Sequence, residues 1–183
     1  MRWEGLFADL DAQWEGEERR DRDAEVADRT RRERAEVDLL ARLAAHRGSP
    51  LRVRLRSGAV LDGEVADLGR DWVLMTVAPG RTEALVPLAA VTGLAGLMTR
   101  SEPVGSARRF ALGSALRALA RDRAVVRVLD VDGRTLTGTI DTVGADAVDV
   151  AEHPADEPRR PANVRAVWTI PLASLVLVTA RTE

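Results

Sequence analysis

The sequence predicts an α+β chain in which two tandem five-stranded antiparallel barrels, each preceded by a helix, follow a charged helical arm at the N-terminus. Three observations predict it. The chain repeats itself at an offset of 75 residues, apolar residues within each copy alternate with period two between glycine-containing breaks, and an amphipathic stretch precedes each copy. The implied organisation is a helical arm with the first capping helix over 1–48, a first barrel over 49–98, a linker over 99–105, a second capping helix over 106–123 and a second barrel over 124–183.

The arm opens on Trp3, Leu6, Phe7, Leu10 and Trp14, spaced i, i+3, i+4, i+7, i+11 as on a helix face that must be buried. That face packs on the rest of the chain or docks on a protein partner, for which Trp3, Phe7, Leu10 and Trp14 are the candidate residues. From Glu15 to Arg34 apolar residues nearly vanish, so that span is either an exposed helix laced by ion pairs or a flexible connector. The first capping helix follows over Val37–His46 and stops at Gly48-Ser49-Pro50. The second runs over Arg109–Ala120, with Ser106 as its expected N-cap.

The repeat sets Leu51–Gly58 against Val126–Gly133, then Leu61 against Leu136, Gly63 against Gly138, Val65 against Ile140, Gly69 against Gly144 and Val73 against Val148. After nine inserted residues, Val86-Pro87-Leu88-Ala89 falls on Ile170-Pro171-Leu172-Ala173. Chance rarely aligns so many glycines and prolines. Ser57-Gly58 and Asp132-Gly133 stand where a tight hairpin needs positive φ, and Gly63 and Gly138 fall in mid-strand, where a missing side chain permits a sharp bend. Asp130-Val131-Asp132-Gly133 has the opening of a calcium loop, but Arg134 occupies the third ligand position, so a hairpin turn is expected.

Composition narrows the function. Cysteine is absent and His46 and His153 are the only histidines, which removes disulfides and thiolate metal sites and starves most metal-hydrolase and Ser-His-Asp chemistry. A non-enzymatic role with no cofactor and no metal is expected. Asp141, Asp146 and Asp149 read as solvated turn residues rather than as a catalytic carboxylate cluster. No stretch reaches the roughly eighteen apolar residues of a bilayer span, and no apolar segment follows Met1-Arg2-Trp3-Glu4, so a cytoplasmic protein without membrane contact is expected. All 27 basic residues are arginine, a bias that fits a GC-rich bacterial genome. With a net charge of −2, any nucleic acid must be held by a local patch.

The best such patch is Arg52, Arg54 and Arg56, which alternate with Leu51, Val53 and Leu55 and therefore share one face of a strand. The competing reading is an edge strand kept soluble by charge. Arg117 and Arg121, on one face of the second helix, extend the candidate surface.

Leu55-Arg-Ser-Gly58-Ala-Val-Leu61-Asp-Gly63-Glu-Val65 and Gly133-Arg-Thr-Leu136-Thr-Gly138-Thr-Ile140 resemble the first motif of the Sm-like superfamily, with Hfq the nearest likeness. The Val-Pro-Leu and Ile-Pro-Leu stretches are similar to the end of the C-terminal barrel of RimP. The resemblance implies small SH3-like barrels, RNA binding, assembly by strand pairing between neighbouring barrels, and no catalysis. Val86–Ala89 and Ile170–Ala173 lack the aromatic and basic residues that hold uridines in Hfq-type pores, so uridine binding is not carried over. The expected function is an RNA-binding regulatory module. The alternatives are a protein-interaction scaffold built on the tryptophan-containing arm and the barrel surfaces, and a DNA-binding regulator. A homo-oligomer formed by edge pairing is the expected assembly.

Overall fold

The computed structural model describes residues 37–77, 82–102 and 110–180. All of its sheet and both described helices lie in one compact unit, Leu39–Glu183. In chain order the elements are α1 (Leu39–Ala45), β1 (Pro50–Leu55), β2 (Val60–Leu68), β3 (Trp72–Val77), β4 (Thr82–Pro87), β5 (Val91–Ala95), α2 (Leu112–Arg121), β6 (Val125–Asp130), β7 (Thr135–Val143), β8 (Ala147–Glu152), β9 (Ala166–Pro171) and β10 (Leu175–Ala180).

Two separate barrels are not what these strands make. They form one ten-stranded sheet in the order β5-β1-β2-β3-β4-β10-β6-β7-β8-β9, antiparallel throughout. The expectation of two five-stranded barrels, each with its own capping helix, is thereby corrected. The cause is the free edge of β4: rather than closing on β5 of its own half, it takes β10 of the other half, with Leu85 opposite Val178 and Ala84 opposite Thr179. A strand edge carries unpaired N–H and C=O groups that any suitably placed edge can satisfy, so closure is decided by geometry between halves rather than by a residue code. The helices are unequal as well. The seven-residue α1 packs on β2, whereas the ten-residue α2 packs on β7 and shares its core with residues of the first half.

Within the sheet the duplication is complete in its pairing. Leu51 pairs with Gly63 as Val126 pairs with Gly138, Val65 with Met75 as Ile140 with Val150, and Val53 with Leu94 as Val128 with Val178. The bulges repeat too, after Val65 and after Ile140. Gly63 and Gly138 have a shared reason to be glycine: a Cβ at either would run into the carbonyl oxygen across the bend, that of Thr76 or of Ala151. The hairpin glycines Gly58 and Gly133 have φ of 85° and 79°, the left-handed values their turns require.

Two cores lie on the two faces of the central strands. β1 alternates outward Arg52 and Arg54 with buried Leu51, Val53 and Leu55, which meet Val65, Val73, Met75, Ala84 and Val86 in the first core. Leu112 and Leu116 of α2 meet Val126, Val128, Ile140, Val148 and Val150 in the second. β4 serves both, sending Ala84 and Val86 into the first core and Leu85 into the second. β10 does the same with Val176 and Val178.

The candidate interaction surface

Arg52 and Arg54 are exposed on β1 and Arg56 is exposed in the turn that follows it, but the three are not equivalent. Arg52 is spent on its cross-strand neighbour Asp62, donating from Nε at 2.7 Å and from Nη2 at 3.1 Å. The bidentate hydrogen bond, aided by charge attraction, raises the arginine above its ordinary pKa and holds the Asp62 carboxyl below the usual carboxylate range. Arg54 lies over Gly93 of β5, and neither Arg54 nor Arg56 has an acidic partner among the described residues. Arg117 and Arg121 are exposed on α2 and line an open groove of about 940 Å³ floored by Leu74, Leu85 and Val178, in which none of the β1 arginines takes part. The five candidate arginines therefore do not line one groove. Trp3, Phe7, Leu10 and Trp14 lie outside the described residues.

Both histidines are buried. His153, 2% exposed, donates from Nδ1 to the Pro154 carbonyl at 2.8 Å, and its Nε2 is hydrogen-bonded to the Thr139 hydroxyl at 2.7 Å. His46, just past α1, donates from Nε2 to the Pro50 carbonyl at 2.9 Å. Asp141 is clamped by Arg159, whose Nε donates at 2.6 Å, and this pair ties the inserted β8–β9 loop to β7. The hydrogen bond to Asp141, aided by charge attraction, raises the Arg159 pKa above its usual value. Asp149 accepts the Thr169 hydroxyl, and Asp130 accepts the N–H groups of Asp132 and Arg134, a hairpin turn closed by its own side chain. Among the described residues no cluster of three or more His, Asp or Glu is placed to hold a metal, and no helix is long and apolar enough to cross a membrane.

The side chain that sequence reasoning passed over is Trp168. It sits on β9, one of the two end strands of the sheet among the described residues, and is 51% exposed beside Val167 at 56%. Its Nε1 donates to Glu152 Oε2 at 2.9 Å. The equivalent positions on β4 are Ala84 and Glu83, and Ala84 is fully buried because β10 covers it. A small residue in one copy and a tryptophan in the other was visible in the aligned repeats. Its meaning needed the knowledge that one twin strand is covered and the other is not.

Asp71 was also missed. Its carboxylate accepts the backbone N–H of Leu112 at 2.7 Å and so caps α2, while Arg70 N–H and Trp72 Nε1 both donate to the Phe110 carbonyl. Three successive residues of the first half thus hold the start of a helix of the second. Ala111, the residue at the N-cap position, supplies no side-chain bond of its own, and the expected cap Ser106 lies outside the described residues. No protein-family model, no curated protein and no solved structure matches this chain.

Proposed function

We propose that this chain is a non-enzymatic interaction module that holds a protein partner by strand addition to β9. One observation carries the reading: β4 and β9 are twins in sequence position and pairing, yet Ala84, Leu85, Val86 and Pro87 are all buried on β4, while Val167, Trp168, Thr169 and Pro171 are all exposed on β9. An edge strand left bare is ordinarily blunted by charge or covered. Here the edge offers backbone hydrogen-bonding groups for affinity, beside a large aromatic and a β-branched residue that can select the side chains of an added strand. RNA binding through Arg54 and Arg56 is the competing reading, and the same experiment separates the two.

Selection of displayed extended peptides against the full chain, followed by hydrogen exchange of the complex, is the test. The expected result is capture of peptides with alternating apolar residues, with new protection in 166–171 and loss of capture on Trp168→Lys. Peptide protection confined to other segments, or single-stranded RNA binding at physiological salt that disappears with Arg54→Gln and Arg56→Gln while no peptide is captured, overturns it.

A further inference from the structure

We infer that Trp168 and Glu152 form a subsite for one arginine side chain, which makes the extended protein partner of β9 a basic segment. This rests on the reading of β9 as a strand-accepting edge and names the chemistry of what it accepts. The backbone decides which side chain of β9 an incoming strand meets most closely. Leu172 N–H donates to the Asp146 carbonyl, and Pro171, opposite Ala147, has no N–H to give. Antiparallel pairing alternates from there, so Ile170 and Trp168 turn their N–H and C=O groups toward β8, while Thr169 and Val167 turn theirs away from it. A strand added in the antiparallel sense, as β10 is added to β4, bonds to Val167 and Thr169. The residue opposite Trp168 then falls in a non-hydrogen-bonded pair, where Cα atoms are only about 4.5 Å apart and side chains touch.

Period two places Trp168 on one face with Glu152 and Ile170. The indole Nε1 donates to Glu152 Oε2 at 2.9 Å, which holds the ring edge and leaves Oε1 without a hydrogen bond among the described residues. Glu152 has no cationic partner among them either, since Arg159 of the adjoining loop is spent on Asp141. On the opposite face Asp149 is occupied by the Thr169 hydroxyl, and β9 itself carries no charged residue. The strand therefore presents an exposed aromatic face beside one unneutralised carboxylate. The twin positions show that this pair goes with the uncovered strand. Trp168 and Glu152 correspond to Ala84 and Val77, of which Ala84 is fully buried and Val77 packs on the first core, as suits an apolar contact under β10. Where the covering strand is absent, both have changed to the two groups that together hold a guanidinium. Its plane stacks on an indole face, and its N–H groups reach a carboxylate at the ring edge. Lysine, a compact ammonium, has no plane to stack.

Selection of displayed extended peptides against the full chain, followed by fluorescence titration of one captured peptide, tests this. Arginine is expected at one fixed position of the captured sequences, interrupting an otherwise apolar alternation. Replacing it by citrulline, which keeps the planar side chain without the charge, is expected to weaken binding by about fivefold to tenfold, and added salt should narrow that difference. Glu152→Gln keeps an acceptor for the indole N–H and is expected to weaken the arginine peptide by about threefold to tenfold while leaving the citrulline peptide unchanged. Glu152→Gln combined with Trp168→Leu should bind the two peptides equally. Captured sequences without a fixed arginine, or an arginine-to-citrulline difference that Glu152→Gln leaves intact, overturn the subsite. If such peptides still protect amides in 166–171 from exchange, the strand-addition reading stands and only the arginine falls. Capture of no peptide overturns both.

Discussion

β4 and β9 began as the same strand and now live in different surroundings. Thr82-Glu-Ala-Leu-Val-Pro87 has a neighbour on each side and buries its last four residues, while Ala166-Val-Trp-Thr-Ile-Pro171 has, among the described residues, only β8 beside it and buries none fully. Residue type has followed environment. Leu85, which reaches the second core, is replaced by Thr169, whose hydroxyl is bonded to Asp149 on the surface. Conversely, fully buried Ala84 is replaced by Trp168, a side chain with no room on β4. A duplicated strand thus reports which of its sides is covered more clearly through the differences between its copies than through either copy alone.

The comparison can be broken by treating twins alike. Leu85→Ala is expected to cost about 2–5 kcal/mol, the range for truncating a buried leucine, whereas Thr169→Ala should stay within about 0.5–1 kcal/mol because only an exposed hydrogen bond is lost. Urea unfolding of both variants measures the contrast, and equal losses would mean that β9 is as enclosed as β4. A smaller contrast is expected at the β2–β3 and β7–β8 turns. Asp71→Ala removes the cap of α2 and should cost about 0.5–2 kcal/mol. Its twin Asp146 accepts Leu172 N–H only through its backbone carbonyl, which alanine retains, so Asp146→Ala should be near neutral. Helix amides in 112–115 should exchange faster in the first variant and unchanged in the second.

The smallest effect concerns β1 and its twin β6. Asp62 titrates below the usual carboxylate range when folded, so the Arg52 link contributes fully above the unfolded-state carboxylate pKa and is lost as pH falls through the lower folded value. Arg127, the twin of Arg52, faces Thr137 instead, so the second half has no counterpart to this loss. Carboxyl NMR titration of Asp62 in wild type and in Arg52→Gln checks it: the variant should titrate nearer the ordinary value, with only a slight change in acid stability because both groups are exposed.

The sequence made the strand pairs legible because hairpin register is local. Alternation of Leu51, Val53 and Leu55 with arginines, Gly58 and Gly133 in turns, and Gly63 and Gly138 at bends all act within a dozen residues. What it did not disclose is which edge β4 would take, since backbone groups look alike in every strand, and it is there that the two-barrel expectation failed. Candidate residues divide along the same line. The exposure of Arg52 and Arg54 on β1 followed from period two, whereas Arg56 falls in the turn beyond the strand and the neutralisation of Arg52 depended on Asp62 across the hairpin. The cap from Asp71 to Leu112 spans 41 positions and has no local trace. Trp168 was visible as a letter, though not as an exposed one.

The cap, the seam and the two-faced central strands have a thermodynamic consequence. Removing β10 would strip Val176 from the first core and Val178 from the second in one step, and melting the turn at Asp71 would loosen a helix that belongs to the other half. Each copy of the repeat keeps its own hairpins, but each core takes residues from the other copy, Val176 in the first and Leu85 in the second. The repeated segment is therefore expected to unfold as a single cooperative unit, with one heat-absorption transition whose calorimetric and van't Hoff enthalpies agree, although its sequence is written twice.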